Sequence, residues 1–116
     1  MPDLVKDLGY SKDEIEKELD KRACFDFKGG EDAGLRRVKE FIWDSQALGT
    51  YASTRNELTG SNYSSRFSPW MACGAISPRY AYFETVKFAK KDGNSESTKS
   101  FINELFWRDF CRFWCY

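Results

Sequence analysis

Two short stretches carry the residue types that could do chemistry. In Glu104-Leu105-Phe106-Trp107-Arg108-Asp109-Phe110-Cys111-Arg112, helical spacing stacks Glu104, Arg108 and Arg112 at i, i+4 and i+8, with Trp107 beside Glu104 at i+3. One stripe then presents a carboxylate, an indole and two guanidiniums. That set suits a flat, polar, anionic ligand or a base drawn out of its stack. An intrahelical ion pair beside core aromatics would use the same residues, so both readings stand at this point. In Tyr63-Ser64-Ser65-Arg66-Phe67-Ser68-Pro69, three serine hydroxyls and an arginine precede a helix start. The free amides of a helix N-terminus and its partial charge of about +0.5 make this a phosphate seat. Each charge-assisted bond there would add roughly 1.5–3 kcal/mol. Ordinary serine capping accounts for the same pattern.

Other chemistries are excluded by what is absent. The 116 residues contain no histidine, which removes Ser-His-Asp and Cys-His catalysis and every histidine-containing zinc site. The cysteines at 24, 73, 111 and 115 form no C-x-x-C pair and read as small buried hydrophobes in a reducing compartment. No apolar run reaches the roughly 18–20 residues of a membrane span, and Met1-Pro2-Asp3-Leu4 lacks the start of a signal peptide. A soluble, intracellular protein of at most one domain is expected.

The elements that must position the two stretches read as all-helical. Ser11 and Glu14 form a capping box for a short polar helix over about 12–22. A second helix is expected over 31–48, with Leu35, Val38, Phe41, Ile42 and Leu48 on its apolar stripe, Arg36, Arg37, Lys39 and Glu40 on the polar side, and Gly49 at its end. Residues 49–67 follow as a long polar loop whose Tyr51, Arg55, Tyr63 and Arg66 argue for function. Ser68-Pro69 and Ser77-Pro78 each place a hydroxyl at an N-cap and a proline at the first helical position. The first of these helices ends at Gly74, and the second runs over 78–91 before Gly93. A last helix starts near Ser97.

Charge and aromatics are unevenly distributed. Residues 35–91 hold 9 basic and 4 acidic side chains, against 6 and 10 in residues 1–34, so the basic middle suits a polyanion or is merely a solvated face. Seven aromatics occupy the last sixteen positions and cover every face of the final helix. Such a helix needs burial all round. The other helices are too short or too charged to provide it, so the start of helix 97–116 is expected in solvent.

The chain resembles the cryptochrome/photolyase flavoproteins from about Phe27 onward. The resemblance is carried by Phe27-Lys28-Gly29-Gly30-Glu31-Asp32-Ala33-Gly34-Leu35, Tyr51 with Thr54-Arg55-Asn56, Tyr63 to Trp70, Gly74-Ala75-Ile76-Ser77-Pro78-Arg79 and Glu104 to Phe110. Phe67-Ser68-Pro69-Trp70 points to the DASH type. The resemblance implies the N-terminal portion of an all-α FAD-binding domain, cut short, with residues 1–26 a linker-like segment and 27–116 the partial domain. It implies FAD contacts at Tyr51, Ser64, Ser65, Arg66, Phe67, Ser68, Phe101 and Arg108, with the diphosphate on the serines. It implies DNA contacts at Arg55, Glu104, Trp107, Arg108 and Cys111, the DNA carrying pyrimidine dimers and being single-stranded or duplex.

The family's activity is light-driven dimer repair or blue-light sensing, with no side-chain nucleophile and no metal. An antenna chromophore is not expected on this chain, because the family's N-terminal α/β domain has no counterpart here. Nor does the family's C-terminal helical half, which supplies the rest of the flavin pocket. Ser100 and Phe101 stand where the family has a tryptophan. The alternative is a non-enzymatic fragment that acts as a binding module, through its aromatic C-terminal helix.

Overall fold

The computed structural model describes residues 7–9, 11, 22–93 and 95–115, all of them helix, turn or loop with no strand. The expected helix over 12–22 lies outside the described residues, Arg22 excepted. The described helices are α1 (Glu31–Lys39), α2 (Tyr51–Thr54), α3 (Ser68–Ala72), α4 (Pro78–Asp92) and α5 (Glu96–Trp114), with a π-helical turn at Glu40–Asp44 and a 3₁₀ turn at Ala47–Thr50.

Helix α1 starts on Glu31 and Asp32 and ends on Arg36, Arg37 and Lys39, each charge opposing the nearer pole of the helix dipole. The expected single helix over 31–48 does not form. After Lys39 the ladder slips into the π-turn, closed where the Ser45 N–H and the Ser45 hydroxyl both donate to the Glu40 carbonyl at 2.8 Å. Gln46 then adopts a left-handed φ of +51° and redirects the chain. Gly49 consequently sits inside the 3₁₀ turn, and the long loop shrinks to residues 55–67. Arg37 also departs from expectation: it is only 2% exposed, on the inner side of α1 with Gly34 and Val38.

Helices α3 and α4 begin and end close to the expected points. Ser68, however, does not cap α3. Arg66 has a φ of +57° and Phe67 is already helical at φ −75° and ψ −15°, so the turn starts one residue early and Phe67 is the N-cap. Ser77 is the extended N-cap of α4, but its hydroxyl makes no capping bond. Gly74 and Gly93 supply the positive φ values after these helices. Helix α5 begins at Glu96, with the Thr98 N–H donating to the Ser95 hydroxyl at 3.4 Å.

The core is a cluster of aromatic rings around the fully buried Phe41. Tyr51 and Phe67 meet it edge-on at 6.3 and 5.8 Å, and Phe101 lies tilted at 6.1 Å. Tyr51 and Phe67 also meet Phe101 edge-on at 5.3 and 5.9 Å, the geometry that ring quadrupoles favour. Helix α5 therefore does the reverse of what its aromatics suggested. Its start is buried, at Ser97, Thr98, Phe101 and Leu105, because α2 docks there with the Ala52 N–H donating to the Ser97 hydroxyl at 3.1 Å. Its second half is exposed, with Phe106, Trp107, Phe110, Phe113 and Trp114 all more than half accessible.

Two further contacts lock the bundle. A Cβ on Gly34 would stand 2.6 Å from Ile76 Cγ2 and 3.1 Å from the Trp70 ring, so α1 can lie on this part of the chain only with a glycine there. Glu84 on α4 accepts from Trp43 Nε1 at 2.8 Å and pairs with Lys87 at 2.6 Å. Its bonds to Lys87 and Trp43 hold its carboxyl below the ordinary value of 4.5 against the opposing effect of burial. Two outcomes are expected. Gly34→Ala lowers the unfolding free energy by about 1–3 kcal/mol in denaturant titration. Since Glu84 is more acidic when folded, its contribution is complete above about pH 4.5 and is lost as the pH falls through its lower folded value. Glu84→Gln should therefore lower the neutral-pH melting temperature and flatten its fall in acid.

Candidate functional site

The serine loop is held from beneath by Arg37. Its Nε donates to the Ser65 carbonyl at 3.0 Å, its Nη1 to Asn62 Oδ1 at 2.9 Å, and its Nη2 to the Ser61 and Ser64 carbonyls at 3.0 and 3.2 Å. Glu40 pairs with Nη1 at 3.2 Å. Phe25 and Phe41 stand against the guanidinium, their centroids 4.9 and 5.5 Å from its central carbon. Burial pushes its pKa down, opposed by the bond and charge of Glu40; an arginine stays protonated regardless.

Arg66 crosses the outer side of the loop. Its Nη2 donates to the Gly60 carbonyl at 2.8 Å and to Cys24 Sγ at 3.1 Å, and the Tyr63 and Phe25 rings lie 4.8 and 5.6 Å away. Its Nε is buried and has no acceptor. Ser64 and Ser65 are partly exposed on this loop, while Ser68 is exposed on α3. Tyr51, Phe67 and Phe101 belong to the aromatic core around Phe41, and the Thr54 hydroxyl on α2 donates to the Tyr63 carbonyl of the loop at 3.0 Å. Burial first, and the Glu104 charge second, raise the Tyr51 pKa, which keeps its phenol protonated.

The second cluster lies where α2 meets α5. Arg55 Nη2 pairs with Glu104 Oε1 at 2.6 Å and its Nη1 donates to the Ser100 hydroxyl at 2.9 Å. Glu104 is thus tied across helices, not to Arg108 along its own. Arg108 pairs with Asp109 at 2.7 Å and reaches the Met71 carbonyl of α3 at 3.5 Å. Trp107 and Cys111 are exposed on α5, and so are Cys24, Cys73 and Cys115, so none of the four cysteines is buried as their small apolar character suggested. Trp107, Phe106, Phe110 and Asn103 line an open cavity of about 290 Å³, and Trp107 meets Phe110 edge-on at 5.6 Å. Among the described residues no group of three His, Cys, Asp or Glu could hold a metal, and no helix is long and apolar enough to cross a membrane.

The structure thus brings some of the expected residues together. Tyr51, Phe67 and Phe101 meet ring to ring in the core, Ser64, Ser65 and Arg66 share the loop above Arg37, Arg55 meets Glu104, and Arg108 turns instead to Asp109 and α3. Arg37, Asn62 and Ser100 were missed. A signal for Arg37 existed, because it shares a helical face with Gly34 and Phe41.

Comparison with known proteins follows the same lines. No protein-family model matches the chain. A cryptochrome DASH of Natronomonas pharaonis is 44% identical over 109 residues, covering 94% of this chain and 22% of that protein. A cryptochrome DASH of Synechocystis sp. is 45% identical over 95 residues, covering 82% of this chain and 19% of that protein. A crystal structure of a Synechocystis sp. PCC6803 cryptochrome superposes with a TM-score of 0.81 at 40% identity, covering 90% of this chain and 22% of that one. The chain belongs to the cryptochrome DASH family. It spans about one fifth of the length of these relatives, and its fold matches one partial, all-α helical portion of the family's architecture.

In this DASH segment the Arg55–Glu104 pair is about one-third exposed on each side, so screening limits its worth. A double-mutant cycle of Arg55→Met and Glu104→Gln should give a coupling of about 0.5–1 kcal/mol that shrinks as salt is raised to 1 M. A coupling near zero at low salt would show that the two side chains do not meet.

Proposed function

We propose that this chain is a flavin- and DNA-binding segment of a DASH-type cryptochrome, in a protein that repairs cyclobutane pyrimidine dimers with light or senses blue light. The observation that carries the flavin reading is the loop at residues 61–66, where the Arg66 Nε is a buried donor with no acceptor beside two partly exposed serines. An anionic group such as a diphosphate fits that donor set. When bound, FAD supplies the light-driven electron transfer.

The chain's own residues bind and orient. Ser64, Ser65 and Ser68 offer hydroxyls to the diphosphate, and Arg66 offers charge. Tyr51, Phe67 and Phe101 back the loop so that it keeps one shape, and Arg108 ties the flavin side of α5 to α3. On the DNA side, Arg55 meets phosphate, while Glu104, Trp107 and Cys111 meet a base drawn from the stack, Trp107 by its ring face. Residues 1–26 serve as the linker to this unit and residues 27–116 as part of the flavin domain.

A second reading has its own support. The exposed aromatics on α5 favour a non-enzymatic module that binds through that helix.

The test is equilibrium binding of a thymine-dimer oligonucleotide and its undamaged twin, across a salt series, with FAD present. Affinity is expected to fall as salt rises, and Arg55→Glu to weaken both strands roughly tenfold. Salt-independent binding, or no effect of Arg55→Glu, would contradict the DNA reading. Loss of dimers on illumination would select the enzyme over the module.

A further inference from the structure

We infer that Arg37 is a positioning residue: it sets the direction in which the serine loop presents its backbone amides. The inference rests on the phosphate reading of that loop. The carbonyls of Ser61, Ser64 and Ser65 all point at one guanidinium, at 3.0–3.2 Å. None of the peptide bonds among the described residues is cis, and in a trans peptide the carbonyl and the following N–H point in opposite directions. The amides of Asn62, Ser65 and Arg66 therefore point away from Arg37. None of these three donates to an acceptor among the described residues.

Three outward amides and the buried Arg66 Nε leave one short loop rich in unused donors. Backbone amides gathered in this way favour an anion. Lysine cannot substitute, because its ammonium is a single point with three donors, whereas the guanidinium is a planar fork with five. Here four donated bonds reach acceptors spread over residues 61–65. Asn62 contributes in the same sense, since its side-chain oxygen accepts from Arg37 Nη1 and anchors the start of the loop. Arg37 touches no ligand itself; it acts through the backbone it holds.

Nuclear magnetic resonance on the intact chain tests this, with Arg37→Lys compared against Val38→Ala. Val38 is buried next to Arg37 but makes no bond to the loop, so its truncation reports a purely structural loss. In the wild-type chain and in Val38→Ala, the amides of residues 61–66 should show backbone order parameters near 0.85, and inorganic pyrophosphate should shift the amide protons of Asn62, Ser65 and Arg66 downfield. In Arg37→Lys the order parameters should fall below about 0.6 and pyrophosphate affinity at least tenfold. Equal order and equal affinity in Arg37→Lys and Val38→Ala would overturn the proposal. If Arg37→Lys disorders the loop while the wild-type chain shows no pyrophosphate response, the phosphate reading fails instead. Should Arg37→Lys not fold, Asn62→Ala carries the same comparison: loosening of the loop supports the proposal, and an unchanged loop overturns it.

Discussion

A single buried cation organises the candidate site. An arginine removed from water is costly unless its donors are satisfied, and here Asn62, three loop carbonyls and Glu40 satisfy them. The constraint runs both ways. Arg37 can stay buried only while the loop folds over it, and the loop, which has no helix of its own, takes four of its anchoring bonds from Arg37. Phe25 and Phe41 flank the guanidinium, so the same residue joins the polar loop to the aromatic core.

Around that joint, α5 has two faces with opposite fates. Phe101 and Leu105 close the core, while Phe106, Trp107, Phe110, Phe113 and Trp114 stand in solvent. Trp107, Phe110 and Trp114 pack ring to ring along that half, and Trp107 follows Glu104 of the Arg55–Glu104 pair by three residues. The base-facing role proposed for Glu104 and Trp107 therefore sits at the border between a polar joint and an aromatic surface, where a flat base can use both.

Much of this was legible in the sequence, for stated physical reasons. The all-α class and the ends of α3 and α4 followed from proline and glycine punctuation, which acts locally. The membership of the DASH family followed from ordered motifs. What could not be read came from interactions across the chain. The break after Lys39 depends on Ser45 closing onto Glu40 and on Gln46 turning left-handed. Arg37 looked like a solvated charge, because its acceptors lie 24–28 residues away. The aromatics of α5 suggested burial all round, but the packing of α2 decides which half is covered. At the site, the serines and Arg66 were visible as types in a pattern, whereas the pairing of Glu104 with Arg55 required the tertiary fold.

The most direct measurement of the central claim is the guanidinium spectrum of Arg37 itself. In a chain labelled with nitrogen-15 and carbon-13, the account predicts separately resolved, slowly exchanging Nη proton signals for Arg37. It also predicts through-hydrogen-bond couplings from its nitrogens to the carbonyl carbons of Ser61, Ser64 and Ser65. A single averaged Nη signal in rapid exchange with water, with no coupling to those carbonyls, would contradict it.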